Sequence, residues 1–121
     1  MAVDTRAPTA PTGLTAKAGD SQVALAWLRS TDNVGVVGYY VWRKLASAPS
    51  GVGWVRIASP VALAYTDRAV TNGTGYIYAV RAVDRVGNVS ASSAFVTATP
   101  KAASPSVAAI YGIALYGVAI Y

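Results

Sequence analysis

Five side chains offer the oxygen donors that a hard cation would need: Asp4, Asp32, Asn33, Asp84 and Asn88. Carboxylate and amide oxygens are the usual calcium ligands. Their spacing lacks the regularity of an EF-hand loop, and Asp and Asn equally serve as turn formers that bond to their own backbone. Two readings therefore stand, a calcium site or a set of turns. Asp32 and Asp84 are also the pair from which glycoside hydrolysis would have to draw its two carboxylates. That chemistry requires a cleft and one carboxyl with a raised pKa, and a small domain of short strands supplies neither. The chain has no histidine and no cysteine, and every acidic residue is Asp. It thus lacks the common general base near neutral pH, the imidazole and thiolate metal ligands, and the thiolate nucleophile. No serine has a histidine or a suitably placed lysine to activate it. The expectation is a chain that is not an enzyme and needs no cofactor, calcium being the one candidate.

A second group could bind rather than react. Tyr40 and Trp42 alternate with Tyr39 and Val41, and Trp54 follows in a long turn-rich stretch. If Tyr39 and Val41 face a core, Tyr40 and Trp42 face outward, because strand side chains alternate with a period of two. With Trp54 they would form an aromatic platform able to stack on a sugar ring or receive a partner. The competing expectation is that the long loop folds over these rings, or that they pair across strands.

The elements that position these residues are short strands. Alternation along Val23, Leu25, Trp27, along Tyr39, Val41 and along Tyr76, Tyr78, Val80, Ala82 marks one buried face per strand. Strands are expected at Leu14–Ala18, Gln22–Leu28, Val37–Lys44, Trp54–Ser59, Ala64–Asp67, Gly75–Asp84 and Ser93–Ala98. Turn signals separate them: Gly19-Asp20, Asp32-Asn33, Ser50-Gly51, Asn72-Gly73 and Gly87-Asn88. Pro60 should take the chain out of its sheet between Ser59 and Ala64. Seven strands with a turn every ten residues or so predict an all-β, immunoglobulin-like sandwich. Its 121 residues suffice for one core.

The net charge of +5 comes from scattered basic residues, with only 12% of the chain charged. A nucleic-acid footprint requires a patch, so no nucleic-acid partner is expected. No apolar stretch of a secretion signal follows Met1. Either a leader has been replaced by a start residue or the chain is an excerpt of a longer protein.

The motifs PTGLTA, QVALAW, STDNVGVVGYYVWR, AYTD and TNGTGYIYAVRAVDRVGNVSASS occur in this order. In that order they resemble bacterial fibronectin type III domains over about residues 11–100. The resemblance implies that Trp27 is the core tryptophan of the second strand. It also implies that Tyr76 is the tyrosine-corner residue, its hydroxyl bonded to backbone near Val70–Gly73. It further implies that the N-terminal segment and the loops after the second and sixth strands share one pole, which would bring Asp4, Asp32, Asn33, Asp84 and Asn88 together. LASAPSGVGWVRIAS, between Lys44 and Ser59, is longer and more aromatic than the family's usual turn.

The expected organisation is an N-terminal linker at 1–11, the fibronectin type III domain at 12–100, a linker at 101–106 and an apolar repeat tail at 107–121. The tail VAAIYGIALYGVAIY repeats AIYGI, ALYGV, AIY and holds no charge. As a helix it would be about 22 Å long, short of the roughly 30 Å a membrane core requires. Its β-branched and aromatic residues better suit an added or cross-β strand. A low-complexity linker is the competing reading, and a membrane span stands only if the apolar stretch was longer than these fifteen residues. Ile110, Tyr111, Ile113, Leu115, Tyr116, Val118, Ile120 and Tyr121 are the residues expected to be buried against protein. The primary expectation is an extracellular or cell-surface structural module that self-associates through this tail, as a filament or surface-layer subunit. The alternative, implied by the resemblance, is an accessory module of a secreted polysaccharide-degrading enzyme. Partners are then further copies, neighbouring domains of a longer chain, or a polysaccharide.

Overall fold

A computed structural model describes residues 4–103. Seven strands run through them: β1 (Thr12–Gly19), β2 (Gln22–Leu28), β3 (Val36–Leu45), β4 (Val55–Ala58), β5 (Ala64–Asp67), β6 (Tyr76–Asp84) and β7 (Val96–Ala98). All pairings are antiparallel. One sheet has the order β1-β2-β5 and the other β4-β3-β6-β7. The two sheets close on the alternating residues expected from the sequence. Val23, Leu25 and Trp27 from β2 meet Tyr39 and Val41 from β3 and Tyr76, Tyr78, Val80 and Ala82 from β6. Trp27 is 4% exposed and lies edge-on to Tyr39, with ring centroids 5.6 Å apart. Such burial contributes about 1.5–3 kcal/mol per large side chain.

Two connections fix the sheets to each other. Pro60 does take the chain out of β4, and the segment it starts crosses between the layers. The Tyr39 N–H donates to the Pro60 carbonyl at 2.9 Å, and the Trp27 N–H donates to that of Leu63 at 3.0 Å. The tyrosine corner forms as the resemblance implied: the Thr71 N–H donates to the Tyr76 hydroxyl at 2.9 Å.

Strand ends match expectation within two residues except at β7, which starts at Val96 rather than Ser93. Serine chemistry explains the shift. The N–H groups of Val80 and Ala82 donate to the hydroxyls of Ser93 and Ser90, at 2.9 and 2.8 Å. Residues 90–93 therefore accompany β6 through side-chain oxygens where a strand would offer carbonyls. The backbone here follows a different path from a regular strand, and that path directs Ser92 and Phe95 onto the outer face. The tail at 107–121, with Ile110, Tyr111, Ile113, Leu115, Tyr116, Val118, Ile120 and Tyr121, lies outside the described residues, as do residues 104–106 of the linker.

Candidate functional site

Outward-facing positions of the four-stranded sheet build a hollow of about 330 Å³ lined by Trp42, Trp54, Ala79, Arg81, Ser92 and Phe95. Trp42 on β3 stands directly opposite Ala79 on β6. A large ring beside a methyl group leaves the space that forms the floor. Trp54 arrives from the long loop before β4 and meets Phe95 with centroids 5.1 Å apart. The loop is anchored from below by Lys44, which is 5% exposed although it lies on the outer side of β3. Its ammonium donates to the Pro49 carbonyl at 2.6 Å and sits 5.8 Å from the centre of the Trp54 ring. A buried ammonium needs such partners, so Lys44 and the loop hold each other in place.

This geometry divides the expected aromatic platform. Trp42 and Trp54 share the hollow, whereas Tyr40 is not part of it: the Arg56 guanidinium stacks over its ring at 4.3 Å. Phe95, 60% exposed, completes the hollow in its place. Sequence reading missed Phe95 because it falls inside the stretch that alternation assigns to a regular β7. The signal that could have found it is the Ser-x-x-Ser spacing of Ser90 and Ser93, which marks a departure from strand pairing. The Trp42 indole N–H is shielded from solvent and has no acceptor among the described residues.

At one pole, the carboxylates of Asp4, Asp32 and Asp84 come together, with one oxygen from each within 4.8 Å of the others. The sequence-predicted convergence is thus present. Each aspartate also shapes its own turn. Asp84 Oδ1 accepts the N–H groups of Val86, Gly87 and Asn88 at 2.9–3.0 Å, and Gly87 supplies the φ of 102° that the turn demands. Asp32 Oδ2 accepts from Val34 N–H and Asp4 Oδ1 from Arg6 N–H. The two asparagines direct their amide nitrogens at Asp4: Asn33 Nδ2 lies 3.2 Å from Oδ1, and Asn88 Nδ2 lies 3.2 Å from Oδ2. A half-turn of either amide would present its oxygen instead. Asp32 Oδ1 stays without a donor among the described residues, shielded from solvent. Desolvation works to raise the Asp84 carboxyl, but hydrogen bonds from the Asn88 amide and backbone and from the Val86 N–H outweigh it and hold the group down at about 2.

A third polar group lies between the sheets and was not anticipated. Asp67, 1% exposed, accepts from the Tyr78 hydroxyl and from the Arg43 guanidinium, both at 2.8 Å on Oδ2, while Oδ1 accepts from Ala69 N–H at 3.1 Å. Burial, then the hydrogen bond to Asp67, push the Tyr78 hydroxyl well above the ordinary tyrosine range, so it remains a donor. Every oxygen here is satisfied by protein, which makes this a structural clamp rather than a reactive centre.

An antiparallel sandwich with a tyrosine corner and a core tryptophan defines the immunoglobulin-like class. No family model matches the chain. It is 29% identical to a Fn3-like protein from Clostridium thermocellum of known structure, with a TM-score of 0.62, covering 84% of this chain and 99% of the other. Among curated proteins it is 42% identical to Exoglucanase B of Cellulomonas fimi, over 82% of this chain and 8% of the relative. It is 43% identical to Chitinase A1 of Niallia circulans, over 74% of this chain and 12% of the relative. The chain spans about a tenth of the length of the curated relatives it matches. It is a fibronectin type III module of the kind found in bacterial glycosidases, and the module is not catalytic.

Proposed function

We propose that this chain is an accessory module of a longer, extracellular polysaccharide-degrading enzyme, where it spaces and supports neighbouring domains. The observation that carries this reading is the match of most of the chain to small parts of an exoglucanase, a chitinase and an alpha-amylase. A sandwich stiffened by Trp27, the tyrosine corner and the Asp67 clamp suits that role, since a spacer works by keeping its shape. Self-association through residues 107–121, the primary expectation from sequence, has no support from these relatives. An antibody to the sandwich should detect a polypeptide several times larger than 12.4 kDa in the culture fluid of the source organism, and that species should release sugar from an insoluble polysaccharide. A 12.4 kDa species without hydrolytic activity overturns the reading.

A second reading concerns the aspartate pole, and the orphaned Asp32 Oδ1 favours it. Asp4, Asp32 and Asp84 would supply carboxylate oxygens to a calcium ion, with Asn33 and Asn88 completing the set after their amides turn. The single ion pair among the described residues, Arg43 with Asp67, lies elsewhere. The ion would add no chemistry beyond neutralising three like charges and joining the N-terminal segment to two loops. Millimolar calcium should then raise the melting temperature of the full chain relative to chelator, because binding to the native state stabilises it. Equal melting temperatures would leave the aspartates as turn formers alone.

A further inference from the structure

We propose that the hollow formed by Trp42, Trp54 and Phe95 is a binding subsite for one or two pyranose rings of a polysaccharide. A pyranose has two requirements that rarely coincide in other ligands: C–H groups that pack on aromatic faces, and a girdle of hydroxyl oxygens that need hydrogen-bond partners. The hollow meets both. Three rings provide apolar walls, and Ala79, 4% exposed, provides a floor. At the rim stand the Arg81 guanidinium, exposed and reaching only a 3.5 Å contact with the Ser90 carbonyl, and the Ser92 side chain. Arginine offers donors alone, and the Ser92 hydroxyl, which donates to the Ser93 carbonyl at 2.9 Å, offers its oxygen as an acceptor. The occupant must therefore bring acceptor oxygens as well as an apolar face. A purely hydrophobic peptide or helix would cover Arg81 without satisfying it, which is unfavourable.

Size and rigidity point the same way. About 330 Å³ sits at the small end of ligand pockets, which fits a ring or two and not a folded partner. Two elements set the rings before any ligand arrives: Trp54 rests on Lys44 and Phe95, and the backbone of Trp42 is paired with Ala79 in the β3–β6 ladder. Preorganisation of this kind lowers the entropic penalty of binding. A larger hollow of about 540 Å³, lined by residues between Arg29 and Leu63, has Tyr39 as its one aromatic lining residue. That hydroxyl already accepts the Ser30 N–H. It has no comparable pair of aromatic faces.

The inference deepens the accessory-module reading and rests on it only for the choice of probes. The full chain, labelled with nitrogen-15, is titrated with cellohexaose, chitohexaose and maltohexaose into the millimolar range while indole resonances are followed. The expected result is saturable movement of the Trp42 and Trp54 signals with at least one sugar. Phe95→Ala, at an exposed position, should keep the melting profile and weaken binding about tenfold, the scale of one lost aromatic stack. Trp54→Ala should weaken it at least as much, with unchanged core methyl signals certifying the fold. Absence of movement with all three sugars overturns the subsite and leaves the spacer role intact. Movement of the same signals on raising protein concentration without sugar overturns it in favour of contact between copies.

Discussion

Tyr76 and Asp84 carry different kinds of control at single positions. The Tyr76 hydroxyl accepts one backbone N–H, from Thr71, at the corner before β6. Tyr76→Phe keeps the ring in the core but strands that donor, so the expected loss is about 1–3 kcal/mol in urea denaturation. Asp84 sets a pH dependence. Its folded pKa of about 2 lies below its ordinary value of 3.8, so the unfolded state binds the proton more readily. The stabilisation is complete above the unfolded value and is lost as pH falls through about 2. Asp84→Asn should therefore be less stable at neutral pH and flatter between pH 4 and pH 2, and its melting curve should converge with that of the parent chain at the acid end.

At the scale of elements, a period of two placed six strands to within two residues, because strand pairing is local and its hydrophobic faces are written in the order of side chains. β7 failed that rule because Ser90 and Ser93 imitate backbone acceptors, an interaction that alternation does not report. The same failure hid Phe95 and so a third of the aromatic walls of the hollow. Lys44 and Asp67 were also invisible: a charged residue in a strand reads as exposed, and only the folded loop and the facing sheet reveal Pro49 and Arg43 as their partners. The aspartate pole, by contrast, was legible, but through resemblance of the surrounding motifs rather than through spacing. The serine stretch yields a direct test. Ser90→Ala and Ser93→Ala each leave a buried N–H of β6 without its acceptor, and each should cost about 1–3 kcal/mol. Hydrogen exchange at Val80 and Ala82 should accelerate, while exchange in β2 tracks only global stability.

For the whole molecule, the decisive division is between the sandwich and the apolar segment C-terminal to it. All named core residues lie between Leu14 and Ala98. Among the described residues, the last backbone bonds that close the domain are Gly73 N–H to the Pro100 carbonyl and Lys101 N–H to the Gly19 carbonyl. These core contacts and closing bonds are all made within residues 4–103. A chain ending at Ala103 should therefore fold, melt within a few degrees of the full chain, and retain the sugar titration at Trp42 and Trp54. Ile110, Ile113, Leu115, Val118 and Ile120 would each gain about 1.5–3 kcal/mol on burial, so this is the part of the sequence with reason to associate. Light scattering of both chains at matched concentration separates the two roles. A spacer module predicts the same monomeric state for each. A larger assembly formed by the full chain alone would reassign residues 107–121 to self-association and return the molecule to the structural class that its tail first suggested.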